Sequence, residues 1–202
     1  RWNNTSTNGG GLTQGQATVL TWGIVPDGMI LDNGTASNLI ARLDTIYNEV
    51  ATGPNITNRT WFNLVNSVFD NFASFSGLSY VYQPLDDQAA FPGSPGVVGV
   101  RPDIRIGGRN IDGNFNVLAF NFFPNNGDMV IDTNDSVYLD TSNNSRILRN
   151  VLAHEHGHGL GFPHVMPVNQ TKSMEPTLAT NFDGPQEDDI LATNRGYGDR
   201  NE

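Results

Sequence analysis

Val151-Leu-Ala-His154-Glu155-His156-Gly157-His158-Gly159-Leu160-Gly161-Phe162-Pro163-His164 is the stretch from which the rest of the chain can be read. It holds all four histidines of the protein. His154 and His158 are four residues apart, so on a helix they share one face, one above the other. Two imidazoles so placed can hold one metal ion. Glu155 lies at the edge of that face, where its carboxylate can reach a water on the metal without being a ligand. His156 falls on the opposite side of the helix and reads as a surface or second-layer residue.

A helix continued past His158 would turn His164 away from the metal, so the chain must break and double back. Gly161 can take a positive φ and close the helix, and Pro163 cannot continue it. His164 then returns as a third ligand and leaves the fourth position to water. Three protein ligands and an open position characterise a catalytic zinc rather than a structural one.

H-E-x-x-H-x-x-G-x-x-H resembles the signature of the metzincin metallopeptidases, and Ser173-Met174-Glu175-Pro176 resembles their methionine turn. Within the metzincins the chain is similar to the matrixins, the matrix metalloproteinase-like family. Val117-Leu-Ala-Phe-Asn-Phe-Phe-Pro124 and Gly127-Asp-Met-Val-Ile-Asp132 resemble their upper edge strand and the strand after it. Gln186-Glu-Asp-Asp-Ile190 and Gly196-Tyr-Gly-Asp199 resemble their last helix and its end. The similarity runs from about Thr18 to Asp199, with one insertion and one deletion.

The 202 residues suit one domain with a real core. No apolar run is long enough to span a membrane. A formal charge of -10 argues against non-specific binding of nucleic acid or anionic lipid. Without cysteine, rigidity must come from packing and metals, and no pro-peptide cysteine is present to block the zinc. The opening Arg1-Trp-Asn-Asn has no signal-peptide character, as in a mature form or an excised domain.

Residues 1–15 are rich in Asn, Thr, Ser and Gly and read as a flexible arm. Residues 16–202 then form one catalytic domain, divided after Gly161 into an N-terminal part and a small C-terminal part. Ala17–Val25, Leu78–Tyr82 and Asp103–Ile106 read as strands. Thr35–Tyr47 has apolar residues at helical spacing and corresponds to the insertion. Thr60 is the expected cap of an apolar-striped helix, and Asp140–Ser145 the cap of the histidine helix. Gly157 and Gly159 inside that helix imply that something approaches closely. The fold class is α/β (α+β), metzincin-like, with a mixed twisted sheet and long helices.

The resemblance implies a secreted or extracellular, monomeric, zinc-dependent endopeptidase acting on protein or peptide substrates. Glu155 is its base, and His154, His158 and His164 are its zinc ligands. Val117, Leu118, Ala119 and Phe120 would pair with an extended substrate, and Met174 would pack beneath the zinc. Asp112, Asp132 and Asp135 would surround a structural calcium, although such pairs are also ordinary turn chemistry. Phe120 and Val130 stand where relatives place histidines, so no structural zinc is expected. An apolar pocket between Val151 or Leu152 and Leu178 or Phe182 implies a hydrophobic P1′ preference, with Glu175 a polar intruder. The alternatives are an inactive metal-binding or interaction protein of the same fold, against which the intact Glu155 argues, and a hydrolase of non-protein amides.

Overall fold

Thr18–Ile24 (β3) is rich in β-branched residues, is buried along nearly its whole length and forms the second strand of a five-stranded sheet. The computed structural model describes residues 1–50, 53–166 and 168–201. In chain order, a short hairpin (β1, Asn4–Thr5; β2, Gly9–Gly10) precedes β3. Then come α1 (Leu39–Ile46), α2 (Thr60–Phe75), β4 (Leu78–Tyr82), β5 (Ile104–Arg109), β6 (Ala119–Asn121) and β7 (Met129–Asp132). A 3-10 turn at Ser136–Leu139 leads into α3 (Ser142–Leu160), and α4 (Glu187–Tyr197) closes the fold.

The strand order is β4-β3-β5-β7-β6. All neighbours are parallel except β6, which runs antiparallel to β7 at the edge. The sheet is therefore mixed, as expected. The larger core lies between it and the helices, where Trp22 stacks on Phe62 and Phe69 of α2, with ring centroids 5.6 and 4.6 Å away. A smaller cluster of Val25, Met29, Leu31, Phe91 and Val130 occupies the other face. Beside it the fully buried Arg105 is neutralised by Asp86 at 2.8 Å.

Three expectations need correction. Residues 1–15 are no loose arm. Trp2 is buried, its indole N–H donates to the carbonyl of Gly159, and its backbone N–H donates to the Tyr197 hydroxyl. Ser6 ties the hairpin to Asp103 through both backbone and hydroxyl. Composition missed this because two isolated apolar residues, Trp2 and Leu12, do the packing. Secondly, Thr60 is the first helical residue and not a cap, and its N–H and hydroxyl both donate to the Glu49 carboxylate. Thirdly, Asp140 does accept from the N–H of Ser142, but Asn143, Asn144 and Ser145 stand at φ of 52°, 57° and 54°. The regular part of α3 begins only after this left-handed turn. The Arg149 guanidinium donates to the carbonyls of Asn143 and Asn144.

Candidate metal centre

The regular part of α3 buries Leu148, Val151 and Leu152 against the core and turns His154 and His158 the other way. At its end Gly161 has φ 104° and ψ 17°. The N–H of Gly161 donates to the carbonyl of His158, and that of Phe162 to the carbonyl of Gly157. This left-handed closure is the one expected of a glycine there. It brings His164 back so that its Nε2 lies 3.2 Å from Nε2 of both His154 and His158.

The other ring nitrogens are fixed. His154 Nδ1 is 2.6 Å from the carbonyl oxygen of Ser173, and His158 Nδ1 is 2.7 Å from that of Phe162. A carbonyl only accepts, so both rings carry hydrogen on Nδ1 and direct an Nε2 lone pair inward. Burial pushes the pKa of His154 down to about 4 and that of His158 down as well, so both are neutral near pH 7. Converging lone pairs on neutral imidazoles suit a cation such as zinc, and carbonyl acceptors on the far nitrogens are the usual outer support. Among the described residues, these three histidines form a group able to share one ion.

Glu155 is almost fully buried, its Oε2 has no hydrogen-bond partner, and it lines the cleft beside the histidines. Burial pushes its pKa up to about 8. His156 is buried at 1 % exposure. It packs edge-on to Phe69 and Phe72, and its Nε2 lies 2.6 Å from the Tyr80 hydroxyl. It is a core residue behind the site and not a surface one. Burial pushes its pKa from 6.5 down to about 3. A folded value below the unfolded one means stability present above pH 6.5 and lost as pH falls towards 3, by up to on the order of 4 kcal/mol. His156→Gln is therefore expected to flatten the decline of Tm between pH 6.5 and 4 relative to the parent. An equal decline in both would refute the burial account.

Both helix glycines have their reason. A Cβ on Gly157 would lie 2.3 Å from Sδ of the buried Met174, and one on Gly159 would lie 2.7 Å from Nδ2 of Asn121 in β6. The methionine thus sits directly under the histidine helix, and the edge strand packs on the next turn. The N–H of Ser173 donates to Asp189, which also takes part in the capping box of α4. The start of α4 thereby holds the carbonyl that orients His154.

A cavity of about 460 Å³ opens beside these groups. Val151, Leu178 and Phe182 line it. Leu152 instead belongs to the core. Glu175 also borders the cavity, and its carboxylate accepts the N–H groups of Asn169, Gln170, Thr171 and Lys172 at 2.6–3.1 Å. Its task is to brace a loop. Asn150 was not singled out from sequence. Its Nδ2 donates to the carbonyls of Ala179 and Phe182, and its Oδ1 accepts from the N–H of Gly184, pinning the far wall. An asparagine one turn before His154, on the same side of the helix as the histidines, was the available signal.

The edge strand is shorter than expected, and its alternation decides which groups are free. The carbonyl of Leu118 accepts from Asp132 N–H, and Phe122 N–H donates to Asp128, so even-numbered residues face β7. The backbone groups of Ala119 and Asn121 face outward. Leu118 and Phe120 therefore offer no backbone partner at this edge, and Val117 N–H is engaged with Asp112.

Asp112, Asp132 and Asp135 surround one loop but do not meet as an ion-sharing group. Asp132 accepts the N–H groups of Asp112, Gly113 and Asn134, and Asp135 accepts those of Phe115 and Val137. In this structure they do the turn chemistry.

Residues 103–198 match the family model described as Matrixin. No curated protein matches the chain.

Proposed function

We propose that the chain, which matches the Matrixin family model over residues 103–198, is a secreted, zinc-dependent endopeptidase. The observation that carries this reading is the inward convergence of three imidazole Nε2 atoms next to a buried, unpaired glutamate oxygen. His154, His158 and His164 hold the zinc. When bound, zinc supplies Lewis acidity, acidifying a water and polarising a carbonyl.

Glu155 takes the proton from the attacking water and returns it to the leaving amine. Its high pKa without a cation leaves it protonated, and a neighbouring positive charge draws it back to the carboxylate a base needs. An extended substrate adds to the edge of β6 through the outward backbone groups of Ala119 and Asn121. The cavity walled by Val151, Leu178 and Phe182 takes the side chain on the leaving side, so P1′ is apolar. Each methylene buried there is worth about 1 kcal/mol of discrimination. The test is a peptide library incubated with the protein, with and without a chelator, followed by sequencing of the cut ends. Cleavage restored by zinc, with Leu, Ile, Phe or Met after the cut, is expected. Cleavage indifferent to chelator, or a preference for Asp, Glu or Gly at P1′, would sink the reading.

For a structural calcium at the loop of residues 112–117, the support is chemical rather than geometric. Asp132 and Asp135 are fully buried, and neither has a basic partner among the described residues. Oxygen-rich, net-negative surroundings favour this ion. With zinc saturating, millimolar calcium is expected to raise Tm, and less so in Asp132→Asn. A Tm indifferent to calcium would return the three carboxylates to loop bracing alone.

A further inference from the structure

Phe115 stands at the mouth of the cleft in a conformation that its side chain does not favour. Its φ is 73°, in the left-handed region where a bulky L residue is an outlier. The conformation is imposed from beneath. Phe115 N–H donates to the buried Asp135 at 2.8 Å, and Gly113 N–H donates to the buried Asp132 at 3.1 Å. Asn114 Oδ1 accepts from the N–H of Ser136. Asparagine, present on both sides at 114 and 116, would adopt such a φ with less strain. The ring is also 76 % exposed, one of the most exposed large apolar side chains in the protein. Strain and exposure both weigh against phenylalanine here, and the core gains nothing from it.

Its position gives the ring a use. Residues 115–119 line the cavity together with Leu178 and Phe182, whereas the later part of the edge segment leaves it, with Phe123 lying 6.1 Å from the ring of His158. His154 and Glu155 line the same cavity. Phe115, which lines the cavity and is largely exposed, therefore stands at its rim.

We propose that Phe115 is a specificity-determining residue whose ring covers the apolar side chain entering the cavity from the leaving side of the scissile bond. This rests on the peptidase reading. A large aliphatic or aromatic side chain fills the cavity and reaches the ring, whereas alanine stops short of it. The carboxylates of Asp132 and Asp135 act through the backbone, holding the ring over the opening so that little ordering remains to be done on binding.

The test uses zinc-loaded full chain and two peptides that differ only in Leu or Ala at P1′. In Phe115→Ala the ratio of kcat/KM for the two peptides is expected to fall by about ten-fold. Phe115→Gly should lose the same discrimination with a Tm no lower than the parent's, because glycine accepts the positive φ. That separates specificity from folding. A Leu to Ala ratio equal to the parent's in both variants overturns the proposal while leaving the peptidase reading intact. Binding of the same peptides to Glu155→Gln protein, with and without Phe115→Ala, gives a readout without turnover. If the parent cuts nothing yet Phe115→Ala selectively weakens binding of the Leu peptide, the peptidase reading fails and the contact stands. If binding is unchanged as well, both fail.

Discussion

Glu155→Gln is expected to lower kcat/KM by at least about a thousand-fold while leaving zinc stoichiometric. The amide keeps the volume of the side chain, so the packing of α3 has no reason to change. It cannot accept a proton as the carboxylate does. The three histidines are untouched, and carbonyls of Ser173 and Phe162 still orient two of them. Stability should not fall. The folded pKa of Glu155 is raised from 4.5 to about 8, so in the zinc-free protein stability declines as pH climbs through that interval. Removing the titratable group removes this decline, and the zinc-free variant should unfold no earlier than the parent at pH 8. Zinc analysis, peptide turnover and a melting curve decide the matter together. Turnover at the parent's rate would refute the assigned role, and lost zinc in a folded variant would mean that the ligand set is misread.

The second large effect is expected from Gly161→Ala, a loss of about 2–3 kcal/mol together with weakened zinc binding. Two penalties coincide at this position. The backbone sits at φ 104°, where alanine is strained. The added Cβ would also lie 2.6 Å from the backbone nitrogen of Arg1 and 3.2 Å from Cγ of Pro124. Relief by shifting the turn would displace the carbonyl of Phe162, which orients His158, and the short segment that returns His164. Stability and metal affinity should therefore fall together. A control in α4, Gly196→Ala, has open space around the new Cβ and should leave zinc affinity unchanged and Tm no lower than the parent's. Parent-like Tm and zinc affinity in Gly161→Ala would show that this turn does not position the histidines.

Much of the fold and site was legible because it rests on local rules. The spacing of four between His154 and His158 is a property of the helix, and the break at Gly161 follows from backbone sterics. The strands at Thr18–Ile24 and Leu78–Tyr82 and the apolar stripe of α2 follow from side-chain periodicity. Boundaries were less legible. The edge strand shrank to Ala119–Asn121 because its pairing depends on the register chosen by β7. Helix ends were also misread where the capping carboxylate comes from a distance. Asp27 accepts the N–H groups of Ile40 and Ala41, and Glu49 serves Thr60.

By itself the sequence determined the resemblance to the matrixins, the histidine triad with its neighbouring glutamate, and the need for a glycine turn between His158 and His164. All of these are encoded within a few residues of one another, where geometry is nearly independent of the rest of the chain. Only the tertiary structure decided that Trp2 is locked onto the end of α3. The same holds for His156 lying in an aromatic core and Phe115 standing strained at the rim. Each depends on which distant groups arrive at that point in space. Burial and hydrogen-bond partners brought together across 76 to 195 residues leave no periodic trace in the chain.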